Sequence, residues 1–271
     1  MNSSITQNSI RNAQYELFDT HAHLAFEPLI NDIDNVLQRS IAAGVTHWIT
    51  VGTNIEESRK SVALAEKYDN LYAAIGVHPH DAKDVTEENI NELEELARNK
   101  KVVAIGETGL DFHYNFSPPQ IQKEVFKKHL ALAAGLNLPV IIHSREAFDE
   151  TMQTMEQQDG CGKIVFHCFT GSADQAKMIL DKGFYISLTG AVTFKNADEI
   201  RQAAKIIPAD RLMLETDCPY MSPEPVRKQK TNEPALMLHT AKFLADLRGV
   251  TLENLAKSTT ASAREFFSIT A

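Results

Sequence analysis

Cysteine is scarce in this chain and cannot build a scaffold. Cys161, Cys168 and Cys218 are the only three in 271 residues, and no C-x-x-C spacing occurs. An odd count without paired spacing argues against a disulfide framework and against a zinc ribbon, and it fits a reducing, cytoplasmic setting. Long apolar runs are missing too. None reaches the roughly 18–20 residues that a membrane span requires, so no membrane association is expected. Positive charge is in the minority, with 27 Lys and Arg against 36 Asp and Glu and a net charge of −9. That excludes general coating of a nucleic-acid backbone, which needs a basic surface, but leaves room for a local site where cations meet one phosphate. Glycine-rich phosphate loops are absent, since no G-x-G-x-x-G or P-loop follows any apolar run. The opening stretch MNSSITQNSIRNAQ has no apolar segment of the secretory kind, and residues 1–15 read as a polar, flexible leader.

What is present is alternation. Hydrophobic residues make up 43% of the chain, and they fall into short β-rich runs separated by amphipathic helical ones. Strands are predicted at 16–23, 46–52, 71–77, 102–107, 138–143, 163–169, 184–189 and 211–217. Helices are predicted at 31–43, 55–68, 87–99, 119–135, 146–158, 173–182, 197–205, 233–247 and 252–267. Runs such as ITVGT, AAIGV, VVAIGE and PVIIHS are nearly continuously apolar, as buried parallel strands should be. Asn54, Thr86, Ser117 and Ser172 stand where helix N-caps belong, and Gly44, Gly135 and Gly183 where helices close. With no break in composition, eight strand–helix units predict an α/β fold, a single-domain (β/α)8 TIM barrel over residues 16–271. A doubly wound open sheet is the alternative, and the missing glycine fingerprints deprive it of its usual ligand site.

In such a barrel the chemistry lies at the C-terminal ends of the strands. The first predicted strand ends in FDTHAHL, and the two-residue period places Asp19, His21 and His23 on one face. The third runs into GVHPH with His78 and His80, and the fourth into AIGETGLD with Glu107. The fifth ends in VIIHSR with His143 and Arg145, the sixth in VFHCFTGS with His167, and the eighth in LMLETDCPY with Glu215 and Asp217. Six of the ten histidines thus sit at strand ends. Buried carboxylates such as Glu107 and Asp217 need a partner, and a metal ion supplies one. His21, His23, Glu107, His143, His167 and Asp217 are too many donors for one catalytic zinc, which usually takes three protein ligands. They suit two divalent ions about 3.5–4 Å apart with a bridging hydroxide. Glu107 would bridge, His21, His23 and Asp217 would complete one ion, and His143 and His167 the other. Magnesium, manganese and zinc are the candidates, and mixed nitrogen and oxygen donors favour the softer metals over magnesium.

At these residues the chain resembles the TatD family of metal-dependent deoxyribonucleases. The stretches FDTHAHL, GVHPHD, AIGETGLDF, LPVIIHSREA, HCFTGS, ETDCPY and NEP carry the resemblance across residues 18–234. It implies an amidohydrolase-like barrel and a divalent-metal phosphodiesterase acting on DNA. It also implies that His21, His23, Glu107, His143, His167 and Asp217 are the metal ligands and that His78 contacts substrate. The chain keeps the first-strand H-x-H that some family members have lost, consistent with a complete two-metal site. It departs from the family after ETDCPYMSP. There EPVRKQKTNEP replaces a basic Pro-x-Pro-His-Arg-Gly-Lys loop, with Arg227 matching and Val226 at the histidine position. Rim loops of this kind set substrate choice.

The expected reaction is hydrolysis of single-stranded or frayed DNA ends by an exonuclease. Asp217 would take the proton of the attacking water, and His78 would contact the phosphate or assist the leaving group. DNA would be bound locally and weakly, and no obligate protein partner is evident. Cleavage of a small amide or ester on the same barrel is the alternative, because fold does not settle chemistry. Arg145 reads either as a phosphate clamp or as half of a rim salt bridge. Arg227, with Lys228 and Lys230, forms a basic patch that contacts substrate or is merely solvated. Glu215 would orient a ligand. His47, His113, His129 and His239 read as packing or surface residues, and Cys168 and Cys218 as small buried hydrophobes.

Overall fold

The computed structural model describes residues 15–158, 160 and 162–270. Positions 1–14 of the expected leader lie outside the described residues. Eight strands alternate with helices: β1 Leu17–Ala22, β2 Val45–Val51, β3 Leu71–Ile75, β4 Val102–Asp111, β5 Val140–Arg145, β6 Ile164–Phe166, β7 Tyr185–Leu188 and β8 Leu212–Leu214. The helices are α1 Ile33–Ala42, α2 Ile55–Ala65, α3 Glu87–Leu96, α4 Pro119–Leu136, α5 Phe148–Glu156, α6 Ala173–Asp181, α7 Asp198–Ile206, α8 Met237–Arg248 and α9 Leu252–Phe267. The strands form one eight-stranded sheet in sequential order from β1 to β8. An isolated parallel bridge between Ala22 and Cys218 joins the end of β1 to the segment after β8. The fold is the predicted (β/α)8 barrel. No helix among the described residues is long and apolar enough to cross a membrane.

Two compact units are distinguished. One comprises the described part of Met1–Ile49 with Cys168–Glu265 and Ile269–Ala271, and the other Thr50–His167 with Phe266–Ser268. In the first, every residue of β1 is buried, as are all of β7 and β8. In the second, β4 buries all ten of its residues. Burial on both faces explains why these strands read as apolar runs rather than as alternations. Helix starts follow their caps. Asn54 accepts the Glu57 amide hydrogen at 3.0 Å, and Thr86 and Ser172 each form a capping box.

Three local expectations are revised. Ser117 does not cap α4, whose N-cap is Pro118. Its hydroxyl donates to the His80 carbonyl at 2.7 Å and accepts the Lys83 amide hydrogen at 3.0 Å. Gly135 does not end α4 but lies within it, and the helix stops at Asn137 with φ +54°, asparagine being one of the few side chains that tolerate the left-handed region. Strand β4 runs to Asp111 rather than stopping at 107. Gly109 permits this with φ +140°, and a Cβ there would lie 2.0 Å from the His143 carbonyl oxygen. That close approach carries the backbone of Asp111 into register with Arg145 at the end of β5.

Candidate metal centre

The first donor group is built where β1 meets the segment after β8. Asp217 donates its amide hydrogen to the His21 carbonyl at 2.9 Å, and His23 donates its own to the Cys218 carbonyl at 2.8 Å. Beneath them Asp19, fully buried, accepts the amide hydrogen of Thr216 at 2.9 Å and its hydroxyl at 2.6 Å. Burial pushes the Asp19 carboxyl up to about 7, against the two Thr216 bonds that lower it. Asp19 therefore belongs to the bracket under the site, although its parity matches that of the histidines. Asp217 takes φ +55°, a strained conformation for a non-glycine residue and one often found at functional sites. The turn brings Asp217 Oδ1 to 3.3 Å from His23 Nε2 and 3.9 Å from His21 Nε2. One donor atom from each of His21, His23 and Asp217 lies within 4.8 Å of the others. The His23 ring stacks on Phe26 with centroids 4.8 Å apart.

The second donor group gathers around Glu107, which is 3% exposed. Its Oε1 lies 2.8 Å from His143 Nδ1, 2.8 Å from His167 Nε2 and 3.4 Å from His78 Nε2. Burial pushes the Glu107 carboxyl up. The nearby His167 and His78, with the hydrogen bonds from His143 and His167, outweigh it and hold the group well below its ordinary value. Donor atoms of His78, Glu107 and His143 fall within 4.8 Å of one another. Burial holds His78 well below the usual histidine range, against the pull of Glu107. Its Nδ1 accepts the His80 amide hydrogen at 3.1 Å, so the neutral ring carries its proton on Nε2. Burial also lowers His143, but its bonds to Asp111 and Glu107 outweigh that and raise it overall.

Two residues here were not assigned from sequence. Asp111 Oδ2 lies 3.0 Å from His143 Nε2 and 3.1 Å from His80 Nε2. Burial raises the Asp111 carboxyl, but the His143 bond and the Tyr114 amide bond outweigh it and keep it below its usual value. Only the extension of β4 brings it there, and the one available signal was its place in GLD four residues after Glu107. His129, read as a packing residue, is fully buried on α4. Its Nε2 accepts the Val77 amide hydrogen at 3.0 Å, and its Nδ1 donates to the Val125 carbonyl at 2.9 Å. It therefore pins the backbone immediately before His78.

Glu215 accepts the Cys168 amide hydrogen at 2.5 Å and the Ser187 hydroxyl at 2.6 Å. It fastens a turn in which Cys168 takes φ +43°. Cys218 is buried as expected, whereas Cys168 is partly exposed. The exposed Arg145 lies over the Tyr114 ring, 4.8 Å from its centroid, and makes no salt bridge among the described residues. The exposed Arg227 lies 3.4 Å from the centroid of Phe194.

Nitrogen and carboxylate donors grouped this closely, several of them buried, have the chemistry of divalent-metal sites, and with the barrel they define a metal-dependent hydrolase. The chain belongs to the TatD related DNase family, whose sequence profile matches residues 18–268. It is 44% identical over 255 residues to an uncharacterized metal-dependent hydrolase, YabD, of Bacillus subtilis, covering 93% of this chain and 99% of that one. It is 38% identical over 258 residues to the 3'-5' ssDNA/RNA exonuclease TatD of Citrobacter koseri, with 93% and 99% covered. Among solved structures it is similar to YJJV, a TatD homolog from Escherichia coli K12, with a TM-score of 0.89 at 31% identity over 94% of this chain and 98% of that one.

Proposed function

We propose that the protein is a phosphodiesterase that removes nucleotides from the ends of single-stranded DNA, and of RNA, with two divalent ions. The observation that carries this reading is a pair of donor groups: His21, His23 and Asp217, with donor atoms within 4.8 Å of one another, and Glu107, whose Oε1 lies 2.8 Å from both His143 Nδ1 and His167 Nε2. Relatives named as single-strand exonucleases support the substrate class. His21, His23 and Asp217 would hold one ion, and Glu107, His143 and His167 the other. A bound divalent ion polarises the phosphoryl oxygens and makes water a competent nucleophile near neutral pH.

The protein groups divide the remaining work. Asp217 offers two carboxylate oxygens, one for the ion and one to accept a proton from the attacking water. Asp111 faces Nε2 of His143 and would hold the proton on that nitrogen, so that Nδ1, on the Glu107 side, would be the one to give up its hydrogen and turn a lone pair to a bound ion, the arrangement that orients a histidine ligand. His78 is a neutral donor. Its Nε2–H suits a phosphate oxygen or the departing oxygen better than it suits metal ligation, which needs a bare nitrogen.

The test is degradation of end-labelled single-stranded DNA, RNA and duplex DNA with added manganese, magnesium or zinc and with a chelator control. Stepwise, metal-dependent shortening of the single strands is expected. Turnover confined to small amides or esters, with no strand cleavage under any metal, would replace this reading with an amidohydrolase one.

A further inference from the structure

Directly beside the Glu107 group stands a feature with no part in metal binding. Tyr114 and Phe116, on the loop after β4, are 49% and 57% exposed. Their rings are nearly parallel, 8° apart with centroids separated by 5.2 Å. Scattered exposed aromatics need no explanation, but these two are held in place. Asp111 Oδ1 accepts the amide hydrogens of His113 at 3.1 Å and Tyr114 at 3.0 Å. The buried side chain of Gln122 accepts the Asp111 amide hydrogen at 2.8 Å and donates to the carbonyls of Asp111 at 3.0 Å and Ser117 at 2.8 Å, tying both ends of the loop. A continuous line of rings leads from the donor group to the loop. His78 and His143 are 4.4 Å apart by centroid, His78 and His80 4.2 Å, and His80 lies 4.8 Å from Phe116 and 5.5 Å from Tyr114. Arg145 covers Tyr114 and has no carboxylate partner among the described residues.

On the nuclease reading above, we propose that Tyr114, Phe116 and Arg145 form a stacking platform for an unpaired nucleobase of the strand being cut. An aromatic face accepts any base, because every base has a π-face. It can receive only a base free of its duplex neighbours, so it selects single strands. It also supplies affinity without a basic surface, which a chain of net charge −9 does not have. The Arg145 guanidinium adds a planar cation that can stack on a base or pair with the adjoining phosphate. Asp111 couples the platform to the metal group, since one of its oxygens faces His143 and the other holds the loop.

The experiment uses oligonucleotides with 2-aminopurine in the terminal positions, whose fluorescence is quenched on stacking, together with otherwise identical strands ending in abasic sites. Chelator-treated protein reads stacking without cleavage, and metal-loaded protein reads KM and kcat. The wild-type protein is expected to quench the probe and to prefer natural over abasic ends. In Tyr114→Ala and Phe116→Ala the quench is lost, KM for natural ends rises roughly 5- to 100-fold, and the preference ratio falls toward one. Tyr114→Trp should restore both signals, which a merely structural loss would not allow. Unchanged quenching and an unchanged ratio in both alanine variants, in protein that still cleaves strands, overturn the platform and leave the nuclease reading intact. Quenching without cleavage under any metal overturns the nuclease reading and leaves the platform.

Discussion

His143 Nε2 lies 3.0 Å from Asp111 Oδ2, a carboxylate buried at the end of the longest strand. With its other nitrogen facing Glu107 at 2.8 Å, the ring cannot rotate without losing a charged partner. Such support of a histidine ligand is typically worth 10–100-fold in metal affinity or activity. Asp111→Asn should therefore weaken metal binding by roughly that factor, as read by titration of the chelated protein. Affinity unchanged within twofold would mean that Asp111 serves only the loop.

Glu107→Gln removes the carboxylate that faces His78, His143 and His167. Elemental analysis after reconstitution should show up to two ions per chain for the wild-type protein and a clear loss for the variant, with strand cleavage abolished. A wild-type protein that never exceeds one ion per chain would end the two-ion proposal.

His78→Ala separates chemistry from metal binding. Its protonated Nε2 faces Glu107, and its Nδ1 is already engaged by the His80 amide. Metal content should survive the substitution while kcat falls roughly 10²–10⁴-fold, the usual contribution of a positioned acid or base. Loss of metal in step with activity would instead make His78 a ligand.

His129 should mark the pH dependence of stability. Burial pushes it down to about 4 from 6.5, so it is neutral in the folded chain. Between those values the unfolded chain binds the extra proton, and stability rises with pH. The contribution is complete above about 6.5 and is lost as pH falls toward about 4, a total on the order of 3 kcal/mol. Denaturant midpoints from pH 4 to 7 should therefore slope upward more steeply in wild type than in His129→Gln. Parallel slopes would show that the ring takes up its proton alike in the folded and unfolded chains, and would overturn the lowered value.

Much of this protein is legible in its sequence. Strands buried on both faces write themselves as apolar runs, so VVAIGE and PVIIHS announced β4 and β5, and caps such as Asn54 act within one turn of their own position. The two-residue period of β1 put His21 and His23 on one face, where they share a group with Asp217. Parity works there because an extended backbone alternates strictly. It cannot describe Asp217 itself, which leaves β8 in a left-handed turn at φ +55°, because that conformation is held by a hydrogen bond to a carbonyl almost two hundred residues away. Asp111 escaped for a related reason. The predicted strand stops at 107, and only the close passage of β5 at Gly109 lets it continue to Asp111. The pairing of Asp111 with His143, the support of His78 by His129 and the stacking of Arg145 on Tyr114 all join residues distant in sequence. Local periodicity determines which residues face a barrel mouth. Which of them meet there depends on strand register and on the turns beyond the strands, and those were decided only by the tertiary packing.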